Sequence, residues 1–121
     1  MLACLLISAC DPGVSAEYLV STASDDSTAQ QSQAIALGLS YRHGMTSPGL
    51  SESCDLASYE KDLGGGTTHV LTLCVDDGGQ RVSFRIGEFI ASHWSSQGDS
   101  LRHELEDTLR ARFGDRVTSS H

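Results

Sequence analysis

The side chains able to carry chemistry are few and widely spaced. Five histidines, His43, His69, His93, His103 and His121, supply imidazoles, whose charge changes near neutral pH. No two stand four apart and none belongs to a His-Glu-x-x-His pattern, so a zinc-binding helix is not encoded. Cys54 and Cys74 each lack a nearby partner cysteine, which removes the paired spacing of a zinc knuckle. Ser92-His93-Trp94 sets a hydroxyl beside an imidazole, but neighbours on an extended chain face opposite sides. The histidines therefore read as isolated surface or rim residues. Asp25-Asp26 suits a helix start and Asp76-Asp77 a turn, roles that need no catalysis. Glu88 stands beside the apolar Phe89; shielding there would raise its pKa, yet one carboxylate makes no catalytic dyad. Gly64-Gly65-Gly66 is not followed by Gly-Lys-Ser/Thr and reads as a flexible turn, not a phosphate cradle. No catalytic residue, metal ligand or cofactor is assigned, and the chain is read as a non-enzyme.

Charge narrows the partners. Sixteen acidic and eight basic side chains in 121 residues give a net charge of −8. Such a surface repels phosphate backbones and anionic headgroups, so neither nucleic-acid binding nor a polybasic membrane patch is expected. Three Phe, three Tyr and one Trp are scant material for base stacking. The length suits one domain with a single modest core.

The positions that must hold these residues form a coherent pattern. Thr68 to Val75 and Arg81 to Phe89 both alternate in polarity around Asp76-Asp77-Gly78-Gly79-Gln80, which predicts a β-hairpin. Leu71, Leu73, Val75, Val82, Phe84 and Ile86 fall on its core face, and Cys74 on the wetter one. Leu101, Leu105, Leu109 and Phe113 recur every four residues, predicting a helix that starts at Asp99 or Ser100, turns Arg102 outward and stops at Gly114. An earlier helix is expected from a Ser27–Gln30 capping box, with Ile35 and Leu39 as its apolar pair, ending at Gly38 or Gly44. Leu39-Ser40-Tyr41-Arg42 equally suits a strand after a stop at Gly38. Cys54 to Leu63 is weakly strand-like. The expected fold is α+β: a two-layer sandwich of three or four antiparallel strands, with an N-terminal and a C-terminal helix on one face. The double-stranded-RNA-binding fold has a similar order, but the acidic charge excludes that function.

The remaining motif lies at the start. Leu2 to Ala9 carry no charge and run into Cys10. Ile7-Ser8-Ala9-Cys10 resembles the lipobox of bacterial lipoproteins: a branched apolar residue, two small residues, then cysteine. The resemblance implies a diacylated Cys10 thiol, cleavage before Cys10, and usually acylation of the new α-amino group. Residues 1–9 are then a truncated signal peptide, residues 10–24 the lipidated cysteine and linker, and residues 25–121 one small α+β domain. Within the linker, Tyr18-Leu19-Val20 is either spacer or a short edge strand. No Lys or Arg precedes Arg42, so the basic start of a secretory signal is missing, as expected if the true start lies upstream of Met1. The apolar run is too short to span a bilayer, which takes about 20 residues. The alternative is a segment buried in the core, against which Asp11-Pro12-Gly13 speaks. An exported chain would oxidise the other two cysteines to a Cys54–Cys74 disulfide, worth about 3 kcal/mol for a loop of about 20 residues.

The functional expectation is a small lipid-anchored envelope protein facing the periplasm, bound to the membrane through Cys10. It would act by binding, as a structural or accessory factor of an envelope assembly with an unknown protein partner. Asp11 after the lipidated cysteine implies inner-membrane retention by the enteric rule, which varies between lineages and leaves the membrane open. The alternative is a periplasmic inhibitor or immunity-type module. Its patch would be the Met45–Ser53 loop with the Gly64–Gly66 turn.

Overall fold

Polarity alternates with a period of two through the first described stretch, and the backbone follows it. The computed structural model describes residues 13–22, 27–47, 55–64, 67–76, 81–89 and 93–120. Strand β1, Gly13–Ser21, buries Ala16, Tyr18 and Val20 and turns Glu17 and Leu19 to the other side. Helix α1 spans Ser27–Arg42, β2 Asp55–Gly64, β3 Thr67–Asp76 and β4 Arg81–Phe89. Helix α2 spans Ser96–Phe113, and a short 3-10 turn, Gly114–Arg116, leads into β5, Val117–Ser120. The strands form one antiparallel sheet in the order β2-β3-β4-β1-β5, with both helices on one face.

The α+β sandwich and the placement of its helices agree with the sequence. The strand number does not: there are five strands, not three or four. The spacer expected over residues 10–24 is corrected at Gly13–Ser21. This segment is no edge strand either, because β1 lies between β4 and β5. It pairs with β4 along its whole length, from Gly13↔Phe89 to Ser21↔Arg81. The physical reason is burial. Ala16, Tyr18 and Val20 complete the apolar face begun by Leu71, Leu73, Val82, Phe84 and Ile86, and over Glu17–Val20 the strand is paired on both sides. Cys10 and Cys54 lie outside the described residues. Cys74 is disulfide-bonded and pairs in register with Asp55, the residue directly after Cys54.

Helix α1 meets the sheet through a stripe of small residues. Thr28, Ser32, Ala36, Leu39 and Ser40 are buried, so small side chains make most of the contact and Leu39 is its large member. Thr28 Oγ1 accepts from Arg116 Nη2 at 2.7 Å, while Arg116 Nε donates to the Ser21 carbonyl at 2.8 Å. One guanidinium thus ties the end of β1 to the start of α1. The helix runs through Gly38 and stops at Gly44, whose φ of 66° suits glycine. Met45 N bonds the Ser40 carbonyl and Gly44 N the Tyr41 carbonyl, the paired bonds of a Schellman stop.

Helix α2 begins earlier than Asp99 or Ser100. Ser95 is its N-cap, with the hydroxyl accepting from Gly98 N at 3.0 Å. Leu101, Leu105, Leu109 and Phe113 are all buried, and Gly114 caps the far end with its N–H on the Arg110 carbonyl. Arg102 is not turned outward. It is largely covered, stacks on Trp94 at 5.3 Å and donates to Asp99 at 2.6 Å. Tyr18, fully buried under α2, donates to Glu106 Oε1 at 3.2 Å. Burial, then the Glu106 charge, pushes its pKa up to about 12, so the phenol stays a donor.

Leu105 is fully buried in the core. Leu105→Ala should cost about 2–5 kcal/mol in urea unfolding through lost burial and an unfilled cavity. Asp107→Ala, at an exposed position of the same helix, should change stability by less than about 0.5 kcal/mol. Equal effects would mean that α2 does not dock through this stripe.

Candidate functional site

Register brings together the two residues with the most unusual surroundings. His69 on β3 stands directly opposite Glu88 on β4, both on the helix-bearing face, 3% and 2% exposed. His69 Nε2 lies 3.2 Å from Glu88 Oε1. The same oxygen accepts from Ser95 N and Ser95 Oγ, each at 3.0 Å. Glu88 therefore fills the anion position at the start of α2, where backbone dipole and free N–H groups favour negative charge. Gly98 makes this approach possible: a Cβ there would run into Glu88 Oε1 and crowd Trp94 and His69.

Sequence reasoning placed His69 among surface or rim histidines and expected shielding to raise the Glu88 pKa. Both are corrected. Burial does act to raise the carboxyl pKa, but donation from Ser95 N, Ser95 Oγ and His69 outweighs it, and the net shift is downward from 4.5. The alternating pattern extends to both residues, since His69 shares parity with Leu71 and Glu88 with Ile86, although the sequence reading did not carry it that far. That parity was the available signal. The order Ser95–Glu88–His69 is not a nucleophile relay, in which imidazole sits between hydroxyl and carboxylate. Its chemistry is that of a clamp joining α2 to the sheet.

Beside the clamp opens a cleft of about 250 Å³, lined in part by His43, Met45, Lys61, His69, Ser96 and Ser100. Lys61 is the only lysine in the chain. His43 is held at 2.8 Å by Glu104, which also pairs with Arg42. His93 and His103 are exposed and His121 lies outside the described residues. Among the described residues, no three His, Cys, Asp or Glu side chains are placed to hold a metal. Asp25, Asp26, Asp77, Ser92, Gly65 and Gly66 also lie outside them. The loop patch of the inhibitor reading is seen only at its start. There Met45 packs against the core and Thr46 bridges to Glu60, which fastens this stretch to β2.

The exposed side of α1 has a different character. From Ser27 to Tyr41 the helix carries no charged side chain, and Arg42 is its first. Leu37 is 47% and Tyr41 79% exposed; standing four apart, they share one face with Ala34 and Gly38. A large tyrosine thus stands exposed to solvent beside a leucine on a chain of net charge −8. The pattern search missed it because it sought the buried stripe of α1 and assigned Ile35 and Leu39 to it.

The clamp predicts an acid-sensitive fold. A carboxyl whose folded pKa lies below its unfolded value stabilises the native state above that unfolded value, and this contribution fades as pH falls from about 4.5 through the folded pKa. Glu88→Gln should lower stability at pH 7 and flatten the decline between about pH 5 and 3, read from urea midpoints across pH. The Glu104 and Asp99 carboxyls, also held low by their partners, should preserve the rest of the slope. An unchanged profile would mean that Glu88 is not the held carboxylate. Gly98→Ala should be strongly destabilising, although alanine is the better helix former.

The chain matches no protein-family model, no curated protein and no solved structure.

Proposed function

We propose that this chain is a small lipid-anchored protein of the bacterial envelope that works by binding another envelope protein through the exposed face of α1. The observation that carries the binding reading is the exposed face bearing Leu37 and Tyr41, with the Arg42 guanidinium lying beside Gly38 at its edge. The lipobox resemblance at Ile7-Ser8-Ala9-Cys10 supplies the anchor, and the bonded state of Cys74 suits an oxidising compartment. Cys54 is the proposed partner of Cys74, because β2 begins one residue after Cys54, at the register partner of Cys74. Catalysis is not part of this reading. The most buried polar cluster is committed to holding α2 in place.

A partner that docks on α1 would cover Tyr41 and Leu37 first, since aromatic side chains anchor interfaces disproportionately. A photo-crosslinking residue at position 41 should give one discrete adduct in intact cells, and the same residue at position 107 should give none. Leu37→Asp should abolish that adduct while changing stability by less than about 0.5 kcal/mol. Equal adducts at both positions, or none at 41, would remove α1 as the binding face. Cys10→Ser should lose membrane association and stay unprocessed. Unchanged fractionation and mass would remove the anchor. Cys54 and Cys74 should resist alkylation in the folded protein until a reductant is added.

A further inference from the structure

One end of the sheet stands close to the proposed anchor in sequence and differs from the other end in chemistry. The register aligns a row across four strands: Asp62 with Thr68, Thr68 with Phe89, and Phe89 with Gly13. Gly64 and Thr67 close the β2–β3 side of this rim. Gly13 follows Cys10 by three positions, and three residues reach about 11 Å at most. An acyl chain on Cys10 would therefore draw this rim to the headgroups. The far end of β1, at Ser21, pairs with Arg81 and receives Arg116.

The near rim is suited to that position. It presents Gly13, Phe89, Thr67, Thr68 and Gly64. Its carboxylate, Asp62, has Oδ1 engaged by the Gly64 amide at 2.8 Å. Phe89 is the large apolar residue left exposed on the sheet. Its ring lies against Gly13 and Gly87, where any added Cβ would crowd it, so both glycines keep the ring flat on the strands. The opposite rim carries Arg81, Asp115 and Arg116 around a depression shared with Leu19 and Thr118. An exposed aromatic ring and a single engaged carboxylate among the described rim residues, beside a short tether, fit a zwitterionic lipid surface, where amphipathic contacts settle at headgroup level.

We propose that the rim formed by Gly13, Phe89, Thr68, Gly64 at the end of β2 and Thr67 at the start of β3 rests on the bilayer that anchors the chain, leaving the Arg81 end outward. This inference rests on the anchoring reading above. It deepens that reading by assigning the domain one orientation. Strand β4 is the ruler: Phe89 and Arg81 are its two ends, separated by about 27 Å at 3.4 Å per residue.

The test uses the full acylated chain, with its mass confirmed, in phosphatidylcholine vesicles carrying a headgroup nitroxide. Trp94→Phe removes the single tryptophan. Phe89→Trp or Arg81→Trp then places a probe at one end of β4. The Phe89→Trp probe should be quenched several-fold more than the Arg81→Trp probe. If Phe89→Trp does not fold, Thr67→Trp takes its place at the same rim. Acylated protein with equal quenching at both ends, or stronger quenching at position 81, overturns the orientation and leaves the anchor standing. A mass without acyl chains removes the anchoring reading and the orientation together.

Discussion

A carboxylate at 2% exposure cannot stay charged inside a protein unless donors replace the water it has lost. Glu88 meets this requirement with Ser95 N, Ser95 Oγ and His69 Nε2, all converging on one oxygen. Each donor comes at a structural cost that the fold accepts. Ser95 must serve as helix cap and donor at once, His69 must enter the core, and position 98 must lack a Cβ. The return is a fixed starting point for α2. From that start follow the burial of Leu101, Leu105, Leu109 and Phe113, and the stacking of Arg102 on Trp94. Because Trp94 and Gly98 pack around the same carboxylate, the helix start has one docked position and little room to slide.

The second constraint is β1. It gives the sheet its continuity, since β4 and β5 each pair with it. It also carries Tyr18, whose hydroxyl reaches Glu106. Glu106 in turn receives Arg110 Nε, and Arg110 also donates to the Val117 carbonyl. The outer end of α2, the buried tyrosine and the closing strand are thus joined through a short polar chain. Removing β1 would leave β5 without a neighbour and open one flank of the apolar face.

The legible parts of the sequence were those where large apolar residues mark a face. The hairpin shows Leu71 and Leu73 facing Ile86 and Phe84 in register, and α2 shows four large residues at one spacing. Strand β1 has the same period, but Ala16 is small, and between the buried positions stand Glu17 and the apolar Leu19, which blurs the alternation. A segment directly after a motif that resembles a lipobox is also expected to be a spacer, so two signals competed and the weaker-looking one held. In α1 the buried stripe consists mainly of Thr28, Ser32 and Ala36, residues whose burial depends on close helix–sheet approach rather than on hydrophobicity. The clamp was half legible. The parity of the core face extends to His69 and Glu88, but only their meeting across the sheet with a helix start explains why burial did not raise the carboxyl pKa. The α1 face was not legible, because exposure of Leu37 and Tyr41 depends on which side of the helix the small stripe claims.

Helix α1 lacks the usual marks of a solvent-facing helix. It contains Gly38, which costs about 1 kcal/mol relative to alanine in a helix interior. It also has none of the oppositely charged pairs that support exposed helices; the pairs at Asp99–Arg102 and Glu106–Arg110 belong to α2. What compensates internally is packing against the sheet and the ties from Arg116 and Glu104 at its two ends. Neither explains Leu37 or Tyr41, which point away from both. Under the anchoring reading, β1 leads away from the membrane and α1 returns toward it, ending beside the cleft that holds Lys61 and His43. Tyr41 then lies on the membrane-proximal half of the domain. On that reading the tether would give the domain little reach, and the proposed partner of Tyr41 would itself approach the same bilayer. Affinity for such a partner need not be high in solution. Confinement of both molecules to one surface would raise the effective concentration of each for the other, and a small, largely apolar face would then hold a complex that would be weak between free domains.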